Sequence, residues 1–184
     1  MEKTGTDCCY RYFLFVIMLS LGSDSDDDDD DDAYDSDALC WQVFTVDEMM
    51  PHVSHLPGVI SKNLLVRDKK KKGLWLVTAP HNATISLSAL AQHLGASGGL
   101  RLADEEVLVT KLGVARGCVT PLALINDREN AVHCVVDAKL LDKANERVYF
   151  HPMVNSATTG LSPEDFERFL SAIGHVPIVV TLNE

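Results

Sequence analysis

Seven consecutive aspartates, Asp26 to Asp32, set the first limit on what this chain can fold into. A block of like charge repels itself and stays solvated, so no packed domain runs through it. It divides the 184 residues unevenly. Residues 1–40 hold 12 acidic and 2 basic side chains, whereas residues 41–184 hold 15 and 14. The net charge of −11 therefore belongs almost wholly to the tail. The remainder is nearly neutral and has the size of one ordinary domain. That excludes a uniformly basic nucleic-acid coat protein but leaves room for a local basic patch.

Ahead of the aspartates lies an apolar run of ten, residues 12–21 (YFLFVIMLSL). A bilayer span needs about 20 such residues. Lys3 and Arg11 give the run the look of a signal-peptide core, but Glu2 and Asp7 sit among them and no small-x-small cleavage site follows at once. The expectation is an atypical segment over 1–40 that lies outside the fold, and a cytoplasmic chain without a membrane. Five cysteines (Cys8, Cys9, Cys40, Cys118, Cys134) form no C-x-x-C pair. That spacing argues against a disulfide framework and a zinc site and fits a reducing compartment. No metal and no cofactor is expected.

From Val43 onward the pattern alternates between helix and strand. Thr45-Val-Asp-Glu48 has the form of a capping box with Phe44 as staple, opening a helix of about two turns that Pro51 bends or shortens. Residues 59–67 (VISKNLLVR) and 74–79 (LWLVTA) read as a hairpin with the basic tip DKKKKG. A helix is expected from Ser86 to Leu94, stopped by Gly95, and another from a cap at Asp104 to Leu112, ended by Gly113. Pro121–Asn126, Val132–Asp137, Arg147–His151 and Pro177–Leu182 read as strands. Ser162 and Pro163 open a helix to about Ile173, with Phe166, Phe169, Leu170 and Ile173 on one apolar face. Strands and helices without strict β-α-β alternation indicate an α+β domain with a mixed sheet.

No common catalytic signature is present: no G-x-S-x-G, P-loop, G-x-G-x-x-G or H-E-x-x-H. His52 and His55 could share a helix face, but no third ligand is spaced to join them. Lys62 sits among apolar strand residues, where a lysine is ordinarily a solvent-facing edge residue. Arg67 and Lys69 to Lys72 make a hairpin tip that is either simply solvated or a grip for phosphates, and Arg101 could extend it. His151-Pro152 followed by Asn155 to Gly160 is a turn-rich stretch after a strand, suited to a small-ligand pocket, although Gly160 could simply provide a positive φ. Gly117 to Pro121 is a turn entering the next element, functional or merely connecting. Asn82-Ala-Thr84 is a glycosylation sequon, which matters only in a secreted chain.

Five blocks in order, VFTVDEMM, SKNLLVRDKKKKGLWLVTA, LGASGGLRLADEEVL, CVTPLALIND and YFHPMVNSATTGLSPEDF, together resemble the YbaK/prolyl-tRNA synthetase-associated domain family. The nearest subgroup is the free-standing ProX/PrdX type, and the resemblance spans residues 43–184. It implies a mixed, partly barrel-like β-sheet wrapped by helices. It implies a trans-editing deacylase for mischarged tRNA(Pro), with alanyl-tRNA(Pro) as substrate. The implied partners are tRNA and, beside it, prolyl-tRNA synthetase or translation factors. The family's essential lysine falls on Lys62, with Asn63 its neighbour, and the histidine of its Phe-His-Pro block falls on His151. By the same analogy Asn155, Ala157, Thr158 and Gly160 line the aminoacyl pocket, with Val46 and Met49 as apolar walls. Arg67, Lys69, Lys70, Lys71, Lys72 and Arg101 would meet the acceptor end of the tRNA. Family members usually carry a helix and a strand ahead of the first block, which residues 1–40 do not match. A non-catalytic tRNA-binding module of the same fold is the alternative reading.

Overall fold

A computed structural model describes residues 46–70 and 73–182. The apolar run, the aspartate tail, the capping residues Phe44 and Thr45, and Lys71 and Lys72 lie outside the described residues.

The first helix, α1, spans Val46–Val53 and carries Pro51 inside it. Then come β1 (Val59–Asp68) and β2 (Leu74–Pro80), joined by the basic tip. Helix α2 (Leu87–His93) begins at Ser86, whose hydroxyl accepts from the Ala89 N–H. Strand β3 (Leu100–Leu102) leads to α3, a single turn over Glu105–Val107 that widens into a π turn over Leu108–Leu112. A 3-10 helix over Pro121–Asn126 precedes β4 (Val132–Asp137). Another 3-10 turn (Ala138–Leu141) leads to β5 (Val148–Phe150) and β6 (Thr159–Leu161). Helix α4 (Pro163–Ala172), capped by Ser162, and β7 (Ile178–Val180) complete the domain.

The strands form one mixed sheet in the order β6-β5-β1-β2-β4-β7, with β3 also paired to β1. The hairpin β1–β2 is antiparallel with Lys62 opposite Ala79 and Asn63 opposite Thr78. Strand β5 runs parallel to β1, whereas β3 runs antiparallel to it on the same edge. Strand alternation assigns one face of β1 to Leu65 and the other to Ile60 and Val66. On the Leu65 face, Leu76, Cys134, Val136 and Phe150 meet Phe166, Phe169 and Leu170 of α4. The rings of Phe150 and Phe166 lie 4.6 Å apart, tilted. On the other face, Val66, Trp75, Val77, Val135 and Val180 meet Leu90 and Ala91 of α2. Val53 and Met50 of α1 close the same face over Ile60 and Tyr149. This is the α+β domain with a mixed sheet and few helices that the sequence implied.

Four local expectations change. Pro121–Asn126 is a 3-10 helix, not a strand. Thr120 caps it by accepting from the Leu122 N–H, and a first-turn proline has the φ a helix needs. A short apolar run cannot be distinguished from a strand by periodicity. Asp104 makes no capping hydrogen bond, because its carboxylate is held by two arginines instead. Strand β6 arises in part of the stretch read as turn-rich, and β3 in a segment given no reading, each only three residues long and specified by pairing with β5 and β1. Gly160 is not a positive-φ residue. It stands opposite Tyr149 in β6, and a Cβ there would lie 2.7 Å from the Tyr149 ring.

Candidate active site at a break in the sheet

Strand β1 changes neighbour along one edge. Pairing with β5 ends at Ile60, and pairing with β3 begins at Val66. Between them the strand has a ladder on its β2 side only. The alternation of hydrogen bonds fixes which groups face the break. Ile60 O accepts from the His81 N–H, and the Asp68 N–H donates to Gly73 O, so the even-numbered residues bond to β2. The odd-numbered residues face the other way, as Val59 N–H to Arg147 O and Leu65 O from Ala103 N–H confirm. Asn63 is odd. Its N–H and C=O point into the break, with no hydrogen-bond partner among the described residues.

Lys62 and Asn63 flank that peptide from opposite faces, because successive strand side chains alternate. Lys62 shares a face with Ile60 and α1. Its Nζ donates to the Ala83 carbonyl, and it makes no ion pair among the described residues. Burial pushes its pKa below the ordinary lysine value. Asn63 points to the α4 face, where its Oδ1 is buried without a partner among the described residues.

His151 follows directly on the end of β5, two residues past Tyr149, which stands opposite Ile60 in the parallel register. His151 Nδ1 lies 3.3 Å from the Ala157 carbonyl oxygen, to which a ring nitrogen can only donate. That contact selects the Nδ1–H tautomer and leaves Nε2 as an acceptor. Desolvation lowers the His151 pKa, opposed by the Ala157 hydrogen bond, so the ring is neutral at pH 7.

The remaining candidates divide. Val46 and Met49 fall on the first turns of α1, the helix over this face. Asn155 is buried, and its backbone hydrogen-bonds to Cys118, so the turn from Gly117 to Pro121 packs beside this loop. Burial raises the Cys118 thiol above its ordinary value, which keeps it protonated. Ala157 contributes its carbonyl to His151. Thr158 precedes β6, and Gly160 lies inside it beneath Tyr149, whose hydroxyl donates to Pro57 O. No sequence signal distinguishes Ala83 as the acceptor for Lys62, since its contribution is a backbone carbonyl.

The basic candidates are not brought to Lys62. Arg67 is five residues along β1, about 17 Å at a strand's rise, and on the other face. It stands opposite Arg101 in the β1–β3 register, and the two share Asp104 at 2.9 Å and 2.8 Å. The hydrogen bond from Arg101 chiefly, and that from Arg67, hold Asp104 below the usual carboxylate range. A cavity of about 330 Å³ opens here, lined by Arg67, Leu74, Val107, Thr110 and Lys111. It lies apart from Lys62 and His151, and its two cations are already paired, Lys111 with Glu129 at 3.0 Å. Lys69 and Lys70 are exposed at the hairpin tip. The described residues hold no cluster of three metal-ligating side chains.

The family model of the aminoacyl-tRNA editing domain matches residues 41–169. The chain belongs to that family. It is 54% identical over 144 residues to prolyl-tRNA synthetase associated domain-containing protein 1 of Bos taurus, covering 78% of this chain and 84% of that protein. It is 35% identical over 133 residues to the prolyl-tRNA editing protein ProX of Acetoanaerobium sticklandii, covering 72% and 79%. A crystal structure described as that of a candidate trans-editing enzyme for prolyl tRNA synthetase superposes with a TM-score of 0.60 at 23% identity, covering 79% of this chain and 83% of the other. At that identity the likeness speaks for the fold. The matched domain is named for aminoacyl-tRNA editing, and ProX by its name is a prolyl-tRNA editing protein.

Proposed function

We propose that this editing domain is a trans-acting deacylase that hydrolyses the ester of alanyl-tRNA(Pro). The observation that carries the reading is the Asn63 peptide beside Lys62, which has no hydrogen-bond partner among the described residues in the stretch of β1 between its pairings with β5 and β3. An aminoacyl ester is already activated, so the site needs no side-chain nucleophile. It needs a place where charge developing on the carbonyl oxygen meets fixed donors.

Lys62 supplies a positive charge held by Ala83 O and balanced by no neighbouring carboxylate. Its role is to hold the terminal adenosine or its phosphate and polarise the ester. The Asn63 N–H, preset by the sheet and committed to no ladder bond, is the backbone donor for the oxyanion. Its carboxamide approaches from the opposite face. A water oriented by the hydroxyl of the terminal ribose attacks, and the proton leaves to the ribose oxygen as the ester C–O bond breaks. His151, neutral and tethered at Nδ1, limits the aminoacyl pocket rather than acting as the base. Alanine is smaller than proline, and a cavity discriminates by only about 1–3 kcal/mol per methylene, so a second, smaller sieve after the synthetase is the physical answer. The chain then works in the cytoplasm on tRNA released by the synthetase, with Lys69 to Lys72 of the hairpin tip gripping its phosphates.

Single-turnover deacylation of alanyl-, cysteinyl- and prolyl-tRNA(Pro) by the intact chain and by Lys62→Ala tests this. Release of alanine alone, abolished by the substitution, supports the proposal. A folded chain that releases no amino acid from any of the three is a binding module.

A further inference from the structure

Asn63 has a cross-strand neighbour that nothing above assigns. Thr78 stands opposite it in the β1–β2 register. The flanking bonds at Ile60–His81 and Asp68–Gly73 make 63–78 a non-hydrogen-bonded pair. Such pairs bring their Cα atoms to about 4.5 Å and their side chains close together on one face. Thr78 is fully buried, and its Oγ1 has no hydrogen-bond partner among the described residues. The same holds of the buried Oδ1 of Asn63. Two orphaned polar atoms therefore face one another across the hairpin, beside the break where the Asn63 peptide is also unpaired.

Stability alone does not account for this. A buried hydroxyl without a partner costs about 1–3 kcal/mol. Valine has nearly the same shape and is the residue at neighbouring positions of this sheet, Val77, Val135 and Val136. The two orphans are complementary in kind: a hydroxyl can donate, and a carboxamide oxygen can only accept.

We propose that Thr78 is a positioning residue for Asn63. Its hydroxyl donates to Asn63 Oδ1 when an aminoacyl ester occupies the break. That bond holds the carboxamide oxygen inward and directs its NH2 toward the ester carbonyl. Polarisation through the carboxamide makes the NH2 a stronger donor. The inference rests on the placement of Asn63 at the ester site in the reading above.

The test compares the intact chain with Thr78→Val and Thr78→Ser. Single-turnover hydrolysis of alanyl-tRNA(Pro) at saturating protein is expected to slow about tenfold in Thr78→Val, the worth of one modest hydrogen bond. The half-saturation concentration stays the same, and the melting temperature is unchanged or higher. Thr78→Ser returns the rate to within about twofold, since it restores the donor. Adding Thr78→Val to Asn63→Ala slows the reaction no further. A native rate in Thr78→Val overturns the proposal, as does a loss of rate matched by a loss of melting temperature. A second reading separates this from failure of the deacylase assignment. With a non-hydrolysable alanyl-adenosine amide bound, the NMR signal of the Asn63 side-chain NH2 should move in Thr78→Val and stay in place in Thr78→Ser. If that signal is the same in all three chains, or the amide does not bind, the proposal fails whatever the turnover.

Discussion

The two ends of β1 handle polarity in opposite ways. At the Arg67 end the arginines and a lysine are met by carboxylates: Arg67 and Arg101 share Asp104, and Lys111 has Glu129. At the Lys62 end the polar groups are left short of partners. Among the described residues Lys62 has a carbonyl but no counter-ion, and Asn63 Oδ1, Thr78 Oγ1 and the Asn63 peptide have no partner. Balanced charges on a surface organise structure at little cost. Unmet groups in a half-buried place lower stability and are kept where a ligand completes them. The contrast favours the second end as the place of the proposed chemistry, although the basic residues crowd the first.

Four substitutions break or sharpen that contrast. The largest effect belongs to Lys62→Ala, which removes a partly buried charge with no ion pair among the described residues. Deacylation should fall by about 10²–10³ with the melting temperature unchanged, as for loss of a preorganised electrostatic group. Equal loss of stability would show that Lys62 is structural. Gly160→Ala comes next, because its Cβ would meet the Tyr149 ring at 2.7 Å. Overpacking of that kind costs about 1–3 kcal/mol, read by chemical denaturation, and should loosen the β5–β6 pair that carries His151.

The third uses pH. Burial holds the folded-state pKa of His151 below its unfolded value of 6.5. Folding thus favours the neutral ring: its contribution is fully present above pH 6.5 and is lost as pH falls through the folded-state value. The melting temperature of the native chain should drop on acidification more than that of His151→Gln, by about 2–4 °C for each kcal/mol involved. Parallel curves would mean the ring is solvated. The smallest effect is at the other end. Asp104→Asn frees both arginines, so tRNA binding at low salt should tighten a few-fold and fall more steeply with added salt. Turnover of bound substrate should not change. A change in turnover would mean the two ends are coupled.

Legibility in the sequence followed the same division. The hairpin, the α4 face and the cap at Ser162 could be read because each is a local pattern carrying its own signal. The strand at Pro121–Asn126 was misread because proline and threonine decide it in favour of a 3-10 turn. Strands β3 and β6 exist only through pairing with distant partners, and three residues carry no period. Lys62 and His151 were assigned through family blocks, and they lie on β1 and just past the end of β5, two strands paired in parallel. Alternation along β1 separates Asn63 from Lys62 by a face, a consequence of period two that was implicit once residues 59–67 were read as a strand. Thr78 could not be seen, since a threonine in a strand is ordinary until its oxygen is found without a partner.

The break also leaves a kinetic mark. Backbone amides of a central strand are normally the last in a protein to trade their protons for solvent deuterium. In β1 the amides of Lys62 and Leu64 are engaged with β2, while that of Asn63 between them is bonded to nothing described. The middle of the longest strand should therefore hold one fast-exchanging amide between two slow ones, and its slowing when an aminoacyl adenosine is added would time the moment at which the site closes on its substrate.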